Sequence, residues 1–70
     1  MSLRMEIMVN GQPCTVPEAC VLDELLAAQA VDPAQVVVEV NRGIVSKDAY
    51  DTLRINPGDR VEILRFVGGG

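Results

Sequence analysis

Hydrophobic positions along the chain follow two rhythms. At residues 5–9, Met5, Ile7 and Val9 alternate with Glu6 and Met8, the period of two that marks a strand with one buried face. Asn10-Gly11 follows, a pair suited to the positive φ angles of a tight hairpin turn. Cys14 and Val16 continue the alternation as a second strand, which Pro17-Glu18-Ala19 breaks. From Val21 the spacing changes to Val21, Leu22, Leu25, Leu26 and Ala28, an apolar stripe of helical period. Asp23 and Glu24 fall in its first turn, where negative charge suits the helix dipole. Asp32-Pro33 is expected to stop the helix shortly after Ala30, because proline disfavours the helical conformation in the residue before it.

Val36, Val38 and Val40 alternate with Val37, Glu39 and Asn41 as a β-branched third strand, and Gly43 permits a turn before Ile44-Val45. Ser46 is placed to cap a short helical turn reaching Tyr50. Asn56-Pro57-Gly58-Asp59 is a strong turn signal, and residues 60–67 read as the last strand. Each element has a single apolar face to hide, so one helix across one face of a small sheet is the economical packing. The expected class is α+β: a mixed sheet of four to five strands with one helix, in the hairpin, helix, strand order of the β-grasp or ubiquitin-like fold. A right-handed crossover through the helix sets the third strand, or the last, parallel to an earlier one. Met5, Ile7, Val9, Val16, Leu22, Leu25, Leu26, Val38, Val40, Val61 and Ile63 form the expected core.

Composition narrows the chemistry. Seventy residues make one domain near the lower limit for a core without metals or disulfides, too small for a large catalytic cleft. Apolar residues are 49% and aromatics 3%, so the core is aliphatic. The net charge is −4, with six scattered basic residues; a phosphate backbone or an anionic membrane needs a basic footprint that is absent. No apolar run reaches the roughly 20 residues of a membrane span, nor is there a signal-peptide core, and a cytoplasmic location is expected. Cys14 and Cys20, with five residues between them, match neither a redox pair nor a zinc half-site, and no histidine is present to complete a metal site. They read as ordinary thiols, with no metal expected.

Three segments act together: Val40-Asn41-Arg42-Gly43-Ile44-Val45, then Asn56-Pro57-Gly58-Asp59-Arg60-Val61-Glu62-Ile63, and the ending Phe66-Val67-Gly68-Gly69-Gly70. With the element order and chain length, they resemble the ThiS family, the sulfur carriers of thiamine thiazole synthesis. The resemblance covers the chain from Met5; Met1 to Arg4 fall outside it and are readable as a leader. It implies a folded domain within residues 1–67 and a flexible glycine tail at 68–70. It further implies that a ThiF-like adenylating enzyme uses ATP to form an acyl-adenylate on Gly70, and that a cysteine-derived persulfide supplied by a desulfurase replaces AMP. The thiocarboxylate then delivers sulfur to a ThiG-like thiazole synthase. On this reading the chain is not an enzyme and binds no cofactor.

The chemistry suits such a terminus. A carboxylate is a poor electrophile until adenylation supplies a leaving group, so the reaction occurs inside a partner protein. Gly68, Gly69 and Gly70 lack Cβ atoms and can thread a narrow channel, reaching roughly 10 Å beyond Val67 at about 3.3–3.6 Å per residue. Docking falls to the neighbouring surface. Leu64 and Phe66 do not share the inward phase of Val61 and Ile63, so they either form an apolar docking patch, joined by Met8 and Val37, or one is buried at a bulge. Arg65 is a candidate to pair with an acidic partner residue, or a solvated charge. Tyr50 reads as a packing residue with a wet hydroxyl, and Asp48 and Asp51 form no convincing acid pair. Cys20 precedes the helix, where free amides would lower a thiol pKa, but the terminal carboxylate already accounts for sulfur transfer.

Two relatives of this reading stay open: a MoaD-like small subunit of molybdopterin synthase, disfavoured by the absence of prolines before the glycines, and another sulfur pathway. From a different class, a ubiquitin-like modifier conjugated through Gly70 would share the adenylate. An inert β-grasp interaction domain would share only the fold.

Overall fold

A computed structural model describes residues 3–65. Five strands, β1 (Arg4–Val9), β2 (Gln12–Pro17), β3 (Val36–Val40), β4 (Gly43–Ile44) and β5 (Arg60–Arg65), accompany one helix, α1 (Leu22–Ala28). The sheet order is β2-β1-β5-β3-β4. β1 pairs antiparallel with β2 and parallel with β5, while β3 pairs antiparallel with β5 and β4. It is therefore the last strand, entering the middle of the sheet, that makes the parallel pair. This is the β-grasp fold.

The β1–β2 hairpin turns through Asn10 (φ +49°) and Gly11 (φ +79°), both in the left-handed region that its two-residue turn requires. Arg4 lies opposite Pro17, and the Glu18 N–H donates to the Leu3 carbonyl at 3.0 Å, so Arg4 joins the strand. The turn expected at Gly43 instead falls on Asn41 (φ +51°) and Arg42 (φ +73°), and Gly43 is a strand residue opposite Val40.

Helix α1 has 7 residues and ends before Asp32-Pro33. Ala30 adopts φ +57°, its N–H donates to the Ala27 carbonyl (3.0 Å), and the Val31 N–H donates to Leu26 (2.9 Å). These two bonds are a Schellman ending, which satisfies the last carbonyls. Asp32 and Pro33 belong to a separate 3-10 turn, Pro33–Gln35, capped by the Asp32 carboxylate accepting from the Ala34 N–H at 2.9 Å. At the other end, the Glu24 carboxylate accepts from the Val21 N–H at 2.9 Å. The N–H groups of Leu22 and Asp23 donate to the carbonyls of Leu53 and Tyr50, each at 2.9 Å. The helix start is thus held by the segment leading to β5. The turn at Lys47–Ala49 forms with Ser46 as its cap.

The core lies between α1 and one sheet face. Met5, Ile7, Val9, Val16, Leu22, Leu25, Leu26, Val38 and Val61 are buried, while Val40 and Ile63 are only partly buried at its rim. Val36, Cys20, Tyr50 and Ile55 complete it. Each fully buried aliphatic side chain contributes about 1.5–3 kcal/mol. Tyr50 and Ile55 sit in irregular chain, where no periodicity marks them as inward. Among the described residues no helix is long and apolar enough to cross a membrane.

Candidate functional site

The sheet face away from α1 carries the even-numbered positions of β5. Strand register sets its neighbours: Met8 opposite Arg60, Glu39 opposite Glu62 and also opposite Ile44, and Val37 opposite Leu64. Directly opposed side chains on one face touch or nearly touch, so Val37 and Leu64 form one apolar pair. Leu64 is 49% exposed, and Val37 is half-buried. Ile44 pairs with Glu39 and so lies diagonal to Val37 on the same face, one strand over at the sheet edge, where it is 75% exposed. Its alternation with the inward Val45 is the signal that would have marked it.

Met8 does not join this patch. It lies level with Arg60, four residues along β5 from Leu64, or about 13 Å at strand rise, with Glu62 in between. Arg65 is exposed, but it sits opposite the buried Val36 and shares the face of Val61 and Ile63. It therefore points away from the Val37–Leu64 pair. Phe66, Gly68, Gly69 and Gly70 lie outside the described residues, and β5 is the strand that leads to them.

At the other end of β5, the structure joins two of the segments singled out above. Asn41 donates from Nδ2 to Asp59 Oδ1 at 3.0 Å and accepts at Oδ1 from the Arg60 N–H at 2.9 Å, while its own N–H donates to the Arg60 carbonyl at 2.8 Å. The second oxygen of Asp59 accepts from the Asn56 N–H at 2.8 Å. Asp59 is the buried charged residue of the described chain, and these bonds offset its desolvation. The β3–β4 turn and the turn before β5 are thereby locked together, fixing where β5 enters the sheet.

The two thiols lie along the β2–α1 side and line an open groove of about 330 Å³ with Glu24 and Gln29. Both thiols are free: Cys14 is half-buried and accepts from the Gln29 amide at 3.7 Å, while Cys20 is buried and donates to the Val21 carbonyl at 3.4 Å. Burial pushes the Cys20 thiol pKa up, and Glu24 and Cys14 push it further the same way. The lowering expected from the helix start does not occur, because desolvation dominates and the nearest helix amides are already bonded to Tyr50 and Leu53. Among the described residues no group of three or more His, Cys, Asp or Glu is placed to hold a metal ion. Tyr50 is buried as a packing residue.

A profile of the ThiS family matches residues 7–70. The sulfur carrier protein ThiS of Bacillus subtilis is 37% identical over 49 residues, which cover 70% of this chain and 74% of that protein. A thiazole synthase of Paramagnetospirillum magneticum is 36% identical over 66 residues, or 94% of this chain, which spans only 20% of that longer protein. A thiazole synthase of Magnetococcus marinus behaves alike, at 33% identity and the same 20% coverage. Among solved structures, the crystal structure of the thiamine biosynthesis protein ThiS of Geobacter metallireducens superposes with a TM-score of 0.82 at 40% identity, covering 94% of this chain and all of that one.

Proposed function

The chain belongs to the ThiS family, and on that premise we propose that it is a sulfur carrier of thiamine thiazole formation whose reactive group is the carboxylate of Gly70. The observation that carries this reading is that the family match runs through the terminal glycines to residue 70. An adenylating enzyme of the ThiF type couples the carboxylate to AMP, releasing pyrophosphate from ATP. A persulfide sulfur, drawn from cysteine by a desulfurase, attacks the acyl carbon and expels AMP; reductive cleavage of the resulting acyl disulfide by a thiol leaves the thiocarboxylate. No side chain of the carrier takes part, so it acts as a substrate of its partners and not as an enzyme.

Thiazole synthase is the proposed recipient. Two proteins of that name contain a segment similar to nearly this whole chain within a fifth of their length, so in them a carrier-like segment is covalently joined to the enzyme. A separate carrier meets the same requirement by docking, and the Val37–Leu64 patch with Ile44, on the face of the strand that leads to the tail, is the apolar surface offered for it. Glycines 68–70 thread the partner's channel. The test is intact mass after incubation with ATP, a ThiF-like enzyme and a sulfur donor. Replacement of one oxygen by sulfur on the chain supports the reading; an unchanged mass overturns it, and a covalent conjugate on another protein assigns the chain to the modifiers instead.

A further inference from the structure

β1 ends at Val9, yet β5 continues to Arg65. In a parallel ladder the residue that donates its N–H to one neighbour accepts, at its own carbonyl, from the residue two further along. Asn10 donates its backbone N–H to the Val61 carbonyl at 2.9 Å, so the next rung would run from the Ile63 N–H to the Asn10 carbonyl. The hairpin makes this impossible, since Asn10 has φ +49° and the chain turns away. The Ile63 N–H instead donates to the side-chain oxygen Oδ1 of Asn10 at 2.7 Å. The amide of Asn10 stands in for the missing backbone carbonyl and carries the ladder one rung beyond the end of β1.

We propose that Asn10 is a positioning residue that holds the root of the C-terminal tail in line with β5 and so presents Gly70 to the adenylating partner. This rests on the carrier reading given above. On its other side β5 is paired with β3 from Val61 to Arg65, so without the Asn10 rung residues 62–65 are held from one side only. Six residues separate Ile63 from Gly70, and angular freedom at the root is amplified at the reacting carbon, where alignment governs rate. Asparagine suits both demands: it tolerates the left-handed conformation of the turn and supplies an amide oxygen of the right reach.

Two substitutions separate the turn from the rung. Asn10→Gly keeps the left-handed backbone but removes the acceptor; Asn10→Asp keeps both. The expected result for Asn10→Gly is a melting temperature close to the parent, Ile63 amide exchange faster by about 10-fold or more, and kcat/KM for adenylation of the carrier lowered by about 3- to 10-fold, the scale of one hydrogen bond. Asn10→Asp is expected to restore both exchange and rate. Unchanged Ile63 exchange in Asn10→Gly would overturn the rung itself. Faster exchange with an undiminished rate would overturn the positioning role while leaving the carrier function intact. A parent chain that no adenylating enzyme accepts would overturn the carrier reading and this role with it.

Discussion

Arg42 carries a φ of +73° in the two-residue turn between β3 and β4, a conformation that costs an L-residue about 1–2 kcal/mol and glycine almost nothing. After allowing for the greater freedom of glycine in the unfolded chain, Arg42→Gly is expected to stabilise the protein by about 0.5–1 kcal/mol, read by urea titration. The sequence signals the first hairpin, because Asn10-Gly11 is a recognised pair, but not the second, because an arginine gives no hint of a left-handed backbone. Cys20 provides a second expectation at this scale. Its thiol pKa is raised above the ordinary 9.0 by burial, then by Glu24 and Cys14, so the folded state keeps its proton to higher pH than the unfolded state. The contribution is fully present below the ordinary thiol pKa and is lost as pH rises through the folded value. Stability is therefore expected to fall on the alkaline side above pH 9, with a flatter profile in Cys20→Ala. In native protein an alkylating reagent is expected to modify half-buried Cys14 well before Cys20.

Helix α1 was legible in its stripe of Leu22, Leu25 and Leu26, but not in its length. Proline at 33 suggested the stop, whereas the chain leaves the helix at Ala30 by a left-handed turn that alanine does not announce. Glycine is favoured at that position, so Ala30→Gly is expected to raise stability by about 0.5–1 kcal/mol. The same change inside the helix, Ala28→Gly, is expected to lower it by about 1 kcal/mol. Opposite shifts in the two melts would confirm where the helix ends; equal losses would place Ala30 within it. The strands were more legible, since period two assigns each residue to a face without knowledge of its partner. Thus Ile7, Val38 and Val61 are buried and Leu64 is exposed.

At the scale of the molecule, the proposed function rests on a surface and a terminus. Leu64 is half-exposed, so Leu64→Ser is expected to change folding stability by no more than about 0.5 kcal/mol while lowering the rate of sulfur acceptance. Equal losses in both would make Leu64 a residue of the fold and not of docking. Deleting Gly70 moves the carboxylate back by about 3.5 Å in an extended chain, and adding a residue moves it forward. Either change is expected to abolish thiocarboxylate formation, read by intact mass, with an unaltered melt. Equal acceptance by native, shortened and extended chains would remove Gly70 from the reaction.

Local physics settles the type of each element, the inward side of each strand, the Asn10-Gly11 turn and the Ser46 cap, because neighbouring residues alone determine them. The glycine ending and the segments around Asn41 and Asp59 carried the family resemblance in the same way. Only the tertiary structure decided that β5 enters beside β1, that Met8 is separated from Leu64 while Ile44 lies diagonal to Val37 on the same face, and that Arg65 faces the other way. It also decided the burial of Tyr50, Cys20 and Ile55, which lie in chain without periodicity. The Asn41–Asp59 bond spans 18 positions and the Asn10–Ile63 bond spans 53. Such contacts depend on strand order and register, which follow from how all the apolar faces close together on one core.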